Sequence, residues 1–256
     1  MDKKDLFQKQ YKGELDWELL KKIIPFAEFM KFYHHYRVDG VFKIPKTGRA
    51  MILVNHSLAT YDILLLGYSI FDKIGRLPRG LADSNFYKNT LTSEFANKLG
   101  MYEANHENAE NVLNGNEILM LAPGGTKEAI RSSEEKFKIK WDDRKGFARL
   151  SIKTQSPIIL AACPGADNVY TVKASPITDF AYKFFKLPIT FAEGIGKTIL
   201  PRPVKLVHYI HEPIFPPPFE GENPDDELVK EYHLFIVNKM TEWMETHTKI
   251  FNKLKS

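Results

Sequence analysis

The stretch Ala50-Met51-Ile52-Leu53-Val54-Asn55-His56, running on to Asp62, decides the fold. Residues 50–54 are apolar without a break. A buried parallel strand is wetted on neither face, so it shows a continuous apolar run rather than alternation. The run stops at Asn55-His56, and functional groups of open α/β sheets lie where strands end. Asp62 stands at the start of Ile63-Leu64-Leu65-Leu66, which reads as a helix. A histidine at a strand tip and a carboxylate on the next helix can meet. Such a pair is a minimal general base, in which the acid fixes the imidazole tautomer and offsets the imidazolium charge.

Ile118-Leu119-Met120-Leu121 and Pro157 to Cys163 also read as buried strands, and Leu77 to Asp83 as a further strand. Val38 to Pro45 reads as a short strand and Val204 to Ile210 alternates like one. Helical spacing covers 86–99, which ends at Gly100, then Asn105 to Leu113, Gly146 to Thr154, and Asp225 to Leu254. Strands alternating with helices predict an α/β fold, a single domain with a largely parallel mixed sheet flanked by helices. Within it, 1–40 is expected as an N-terminal amphipathic helical segment and 41–256 as the α/β domain. Over 10–35 the apolar spacing is helical, with a break or kink expected at Pro25. That helix either packs on the core or lies in a lipid surface, where its aromatics and lysines are favoured. Residues 131–146 are dense in charge and read as a solvated loop.

Composition narrows the classes. The 256 residues carry a formal charge of +4 and one cysteine, Cys163. A single cysteine excludes an internal disulfide framework, fits a reducing compartment and offers no all-cysteine metal site. No signal peptide or spanning run is apparent, so membrane work is expected from the cytoplasmic side, as a peripheral protein. Basic and acidic residues are mixed and no nucleic-acid fingerprint occurs, so no nucleic-acid partner is expected. Gly194-Ile195-Gly196-Lys197-Thr198 fails as a phosphate loop, because Phe191 stands where glycine is required. His208 and His211 would face opposite sides of a strand, and no metal site is expected. Cys163, in an apolar strand without a nearby base in sequence, is not expected to be a nucleophile.

The second informative turn is Pro123-Gly124-Gly125-Thr126-Lys127-Glu128, directly after the strand at 118–121. Two glycines there permit positive φ or close approach of a ligand to main-chain N–H groups. Thr126 adds a hydroxyl, Lys127 a cation and Glu128 an acceptor.

Asn55-His56 with Asp62 resembles the first block of the glycerolipid acyltransferase superfamily, which includes lysophosphatidic acid and glycerol-3-phosphate acyltransferases. Pro123-Gly124-Gly125-Thr126-Lys127-Glu128-Ala129 is similar to its third block in the form of the diacylglycerol acyltransferase 2-like branch. His106-Glu107-Asn108 and Arg144-Lys145-Gly146-Phe147 fit that branch. Ser156-Pro157-Ile158-Ile159 resembles the fourth block, and Pro201 to Leu206 with Glu212-Pro213-Ile214 the C-terminal strand. One more residue separates His56 from Asp62 than in the common first block. His106 and Lys127 stand where arginines are usual, and Gly124 where a glutamate is. Arginine grips phosphate bidentately; lysine is a point charge and neutral histidine weaker still. The departures therefore point away from glycerol 3-phosphate and toward a neutral lipid alcohol.

The resemblance implies an acyltransferase of a membrane surface, with acyl-CoA or acyl carrier protein as co-substrate and no other cofactor. His56 is the expected base and Asp62 its orienting acid. Main-chain N–H groups at Gly124-Gly125, with Thr126, are the expected oxyanion donors. Pro123, Glu128, Lys127, Arg144 and Lys145 complete the expected substrate-binding set, the cations serving donor phosphates. Phe180, Phe184, Phe185 and Phe191 serve either an acyl tunnel or the core. Two other readings stay open: a non-catalytic lipid-binding protein on the same scaffold, and a thioester hydrolase.

Overall fold

The computed structural model describes residues 16–82, 84–173 and 191–253. The strands are β1 (Arg37–Asp39), β2 (Ala50–Val54), β3 (Arg79–Ala82), β4 (Met101–Glu103), β5 (Ile118–Leu121), β6 (Ile158–Ala162), β7 (Thr171–Lys173), β8 (Phe191–Glu193) and β9 (Val207–Ile210). Seven of them make one sheet in the order β1-β9-β6-β2-β5-β3-β4, parallel throughout except for the β6–β9 pair. β7 and β8 form a separate antiparallel pair. The helices are α1 (Trp17–Tyr33), α2 (Tyr61–Ile74), α3 (Thr90–Lys98), α4 (His106–Asn114), α5 (Gly125–Ala129), α6 (Gly146–Thr154) and α7 (Asp226–Lys253). The expected α/β class and mostly parallel sheet are what the chain forms.

β2 explains why its sequence shows no alternation. Met51 and Leu53 join Leu119, Ile158 and Leu160 in a core with Ile236, Met240 and Met244 of α7. Ala50, Ile52 and Val54 point the other way, to Leu66 and Ile70 of α2. Both faces are covered, and every residue of the strand is fully buried. A fully buried branched side chain contributes about 1.5–3 kcal/mol, so this strand and β6 beside it carry much of the stability.

One expectation narrows and two change. Pro25 sits inside α1 without ending it. Pro25 is exposed, so water can take the helical carbonyl that the missing N–H leaves unpaired. The expected strand from Val38 to Pro45 stops at Asp39, because Gly40, at φ +84°, turns the chain into a short 3-10 turn. The charged run 131–146 is not a solvated loop: Trp141 is fully buried and Arg131 nearly so. β4 and the β7–β8 pair are too short to stand out in the sequence. Phe180, Phe184 and Phe185 lie outside the described residues, and Phe191 is exposed at the start of β8.

Candidate active site

β2 and β5 are adjacent parallel strands at the middle of the sheet, with Leu53 opposite Leu121. Their carboxyl ends therefore deliver the His56 turn and the Pro123–Glu128 turn side by side. This is where the two sequence motifs meet.

The main chain of His56 is clamped from both sides. Its N–H donates to Glu128 Oε2 at 3.2 Å. Its carbonyl accepts from Arg131 Nη1, which also reaches the Glu128 carbonyl at 2.7 Å. The other Arg131 nitrogen, Nη2, pairs with Asp167 at 2.5 Å. Glu128 Oε1 accepts from the Lys140 N–H at 3.3 Å. The Glu128, Arg131 and Asp167 side chains are all buried, so this is an interior ionic cluster built behind the histidine. Burial raises the Glu128 carboxyl to about 7 against the pull of Arg131. Glu128, expected among the substrate contacts, instead spends both oxygens on protein N–H groups. One of those bonds holds the main chain of His56.

The two glycines serve the same cluster. A Cβ on Gly124 would lie 2.1 Å from Glu128 Oε2. A Cβ on Gly125, whose φ is +52°, would lie 2.3 Å from Arg144 Nη1. Glycine is required at the first by the carboxylate and at the second by the guanidinium and by the backbone. The Gly125 N–H, expected as an oxyanion donor, is already bonded to the Ala122 carbonyl at 2.9 Å.

The His56 ring has a defined tautomer. Nδ1 lies 3.1 Å from the Ser57 carbonyl, which can only accept, so Nδ1 carries the proton. Nε2 is left with its lone pair and makes no hydrogen bond among the described residues. Burial, with the Arg131 charge adding to it, lowers the His56 pKa below the ordinary 6.5 despite the Ser57 bond. The ring is therefore neutral, and able to take a proton, at pH 7.

Asp62 is not the partner that fixes this ring. The two side chains share no hydrogen bond. Asp62 is fully buried, its carboxylate oxygens have no hydrogen-bond partner among the described residues, and the facing group is His208 Nε2 at 3.6 Å. Burial, then the charge of Asp167, raises its pKa to about 8. The expected His56–Asp62 contact is replaced by the Ser57 carbonyl.

His56 lines a cavity of about 660 Å³, together with Pro123, Gly125, Thr126 and Arg144. The rest of the wall is almost wholly apolar, with Leu20, Ile24 and Ala27 of α1, Ile63 and Phe71 of α2, and Met120 of β5 among it. The size lies in the range of small-molecule sites. Arg144 is the one charged side chain on that wall among the described residues, and it donates to the Pro123 carbonyl at 3.2 Å. Lys127 and Lys145 are not on the wall; Lys127 pairs with Asp142 at 2.6 Å on the surface. Sequence reasoning missed Arg131, which stood in a run of charge read as solvated, Asp167, which no motif singled out, and His208, which lies far along the chain.

The profile of the diacylglycerol acyltransferase family matches residues 68–255, beginning just after Asp62. A "DGAT1/2-independent enzyme synthesizing storage lipids" of Homo sapiens is 30% identical over 202 residues, 77% of this chain and 58% of that protein. Its Bos taurus counterpart is 30% identical over 202 residues, 77% of this chain and 57% of that one. An uncharacterized Mycobacterium tuberculosis protein is 25% identical over 211 residues, covering 78% of this chain and 58% of its own length. The chain thus spans less than two thirds of the length of these relatives. The lysophosphatidic acid acyltransferase PlsC of Thermotoga maritima has the same fold, with TM-score 0.51 and 18% identity, over 93% of this chain and 86% of that one. With the profile covering most of its residues, the chain belongs to the diacylglycerol acyltransferase family.

Proposed function

We propose that the protein is an O-acyltransferase that moves a fatty acyl group from a thioester to a neutral lipid hydroxyl. The observation that carries this reading is the His56 ring. It is neutral, its Nδ1 proton is occupied by Ser57, and it stands in the wall of an apolar cavity large enough for acyl chains. Nε2 takes the hydroxyl proton as the oxygen attacks the thioester carbonyl. The new C–O bond forms, the tetrahedral intermediate collapses, and the C–S bond breaks. The departing thiolate takes the proton back from the imidazolium, so His56 returns to its starting form. General base catalysis of this kind contributes about 10²–10⁴ in rate. The Thr126 hydroxyl, on the same wall, serves the oxyanion in place of the committed Gly125 N–H. Arg144, at the one charged place on the described wall, holds a donor phosphate.

The acceptor follows from the charges. Lys127 is neutralised by Asp142 away from the cavity and His106 is exposed, so among the described residues no second cation waits on the wall for an acceptor phosphate. A monoacyl- or diacylglycerol-like alcohol suits that wall better than a phosphorylated one. Such substrates live in membranes. Phe26, Phe29 and Phe32 of α1 are 54%, 59% and 78% exposed, and Phe26 also borders the cavity. No described helix is long and apolar enough to cross a membrane. α1 therefore lies in the lipid surface with its aromatic face down, and lipid enters the cavity beside it.

The test is a panel of acceptors in vesicles with labelled oleoyl-CoA or oleoyl carrier protein. Transfer to mono- or diacylglycerol, exceeding transfer to lysophosphatidic acid or glycerol 3-phosphate, supports the reading. Preference for the phosphorylated acceptors overturns the acceptor assignment. Release of free oleate without any acceptor product makes the protein a thioester hydrolase, and vesicle binding without turnover makes it a lipid-binding protein.

A further inference from the structure

Asp62 and His208 are two facing buried polar groups left unused by the reaction above. Both are fully buried, and His208 Nε2 and both Asp62 oxygens lack hydrogen-bond partners among the described residues. An unpartnered buried carboxylate is expensive, so a chain that keeps one has a use for it. The far nitrogen of the His208 ring is not free: Nδ1 lies 2.9 Å from the Tyr36 hydroxyl. His208 sits on β9, Asp62 at the start of α2, and Tyr36 just before β1. Three separate parts of the fold converge there.

The next link runs from Asp62 to the active histidine along the backbone. The Asp62 N–H donates to the Ala59 carbonyl at 3.0 Å. The Ala59 N–H donates to Ser57 Oγ at 3.2 Å, and Thr60 Oγ1 donates to the Ser57 carbonyl at 3.3 Å. That same carbonyl fixes the His56 ring through Nδ1. Whatever anchors Asp62 anchors this turn, and the turn sets the angle of the ring.

We propose that His208 is a positioning residue for His56: Asp62 and His208 hold one proton between them, and this buried pair pins the 57–60 turn whose Ser57 carbonyl aims the catalytic ring. The inference rests on His56 being the base of the acyl transfer described above. At 3.6 Å the pair is slightly open, and a small side-chain movement makes it a hydrogen bond. Two arrangements satisfy the ring. Either Tyr36 donates to Nδ1 and Nε2–H donates to an ionised Asp62, or Nδ1–H donates to Tyr36 and a protonated Asp62 donates to Nε2. Burial disfavours charge on both groups, lowering His208 to about 3 and raising Asp62 to about 8, so the second arrangement holds at pH 7. The other titratable groups facing the pair are Cys163 at the end of β6, Tyr61 beside Asp62, and the Asp167 carboxylate, which Arg131 pairs.

Asp62, Cys163 and His208 also offer atoms that all lie within 4.8 Å of one another, a spacing a metal could use. Burial raises the Cys163 thiol well above its ordinary value, so it stays protonated where only protein groups face it. None of the three reaches the cavity wall. A shared proton satisfies the orphaned atoms with no ion.

The experiment uses the whole protein, with His208→Phe and His208→Gln. His208→Phe removes the partner and is expected to lower kcat on the order of 10²-fold, with donor KM unchanged, as misplacement of a catalytic group does. His208→Gln restores a carbonyl acceptor of similar reach for the Asp62 hydroxyl and is expected to recover most of that loss. Equal kcat in folded His208→Phe overturns the proposal, and so does a loss that His208→Gln does not relieve. Independently of activity, NMR of the wild type should show the Asp62 carboxyl ¹³C and His208 ring ¹⁵N responding in one common titration step. Separate titration at ordinary values overturns the pair even if both variants fail to fold. A stoichiometric metal found in the purified protein, and lost in Asp62→Asn, also overturns it. If the wild type transfers no acyl group, the acyl-transfer reading fails while the NMR titration still decides the pair.

Discussion

His56 and Asp62, the two ends of one short turn, live in opposite surroundings. His56 has a clamped main chain, an Nε2 with its lone pair available and an open apolar cavity in front of it. Asp62 has a dry core around it, lies off the cavity wall and has no oxygen satisfied by a described residue. A motif that reads as a touching pair is divided between a reacting face and a supporting interior. The difference teaches that a carboxylate six residues from a histidine need not touch its ring; in the proposal above it acts through the backbone instead.

The strongest way to break the supporting side is Arg131→Met. It leaves Glu128 and Asp167 as buried acids without their cation, which should cost about 3–5 kcal/mol of stability. Denaturant unfolding measures it; a loss under about 1 kcal/mol, the size of an exposed pair, would mean the cluster is not a clamp. Gly124→Ala comes next. Its methyl must displace Glu128, which frees the His56 N–H, so kcat should fall by about 10- to 100-fold while donor KM changes little. Steady-state kinetics on the folded variant decide this.

Asp62→Asn sharpens the comparison further. A direct charge partner of a catalytic histidine costs about 10⁴ in kcat when made neutral. Asp62 supports by position and is already protonated at pH 7, so the Asp62→Asn variant should lose less than about tenfold. Its stability signature has a definite sign. The folded carboxyl titrates at about 8 and the unfolded one near 3.8, so the wild type loses stability as pH rises through that window. The variant cannot ionise, so its melting temperature should gain on that of the wild type by a margin that widens up to about pH 8 and then stays level. A margin that shrinks with pH contradicts the raised titration of Asp62. The smallest effect is expected from Lys127→Ala, which removes an exposed pair with Asp142 worth about 0–1 kcal/mol and leaves turnover unchanged.

Much of this was legible in the sequence. β2 announced itself because a strand covered on both faces must be apolar at every position. Gly100, at φ +78° after α3, ended a helix as a glycine there should. The two motifs at neighbouring strand ends marked where the cavity opens. What stayed hidden was pairing over distance. His208 looked like half of an unconvincing metal pair with His211, because its contact with Asp62 exists only once β9 joins the sheet. Arg131 looked like one charge among many, because two of the groups that bury it, the His56 carbonyl and Asp167, lie far from it in the sequence. Gly124 and Gly125 read as a ligand cradle, whereas the groups they make room for are Glu128 and Arg144 of the protein itself.

The most direct measurement is the rate of acyl transfer from oleoyl-CoA to a vesicle-borne neutral glyceride, for wild type and His56→Ala across pH. The wild-type kcat should fall on acidification with a midpoint below 6.5, because burial and Arg131 hold the ring neutral. His56→Ala, folded and melting near the wild type, should lose about 10²–10⁴ in kcat together with that acid limb. A folded His56→Ala that retains full turnover, or the same acid limb, would contradict the assignment of His56 as the base.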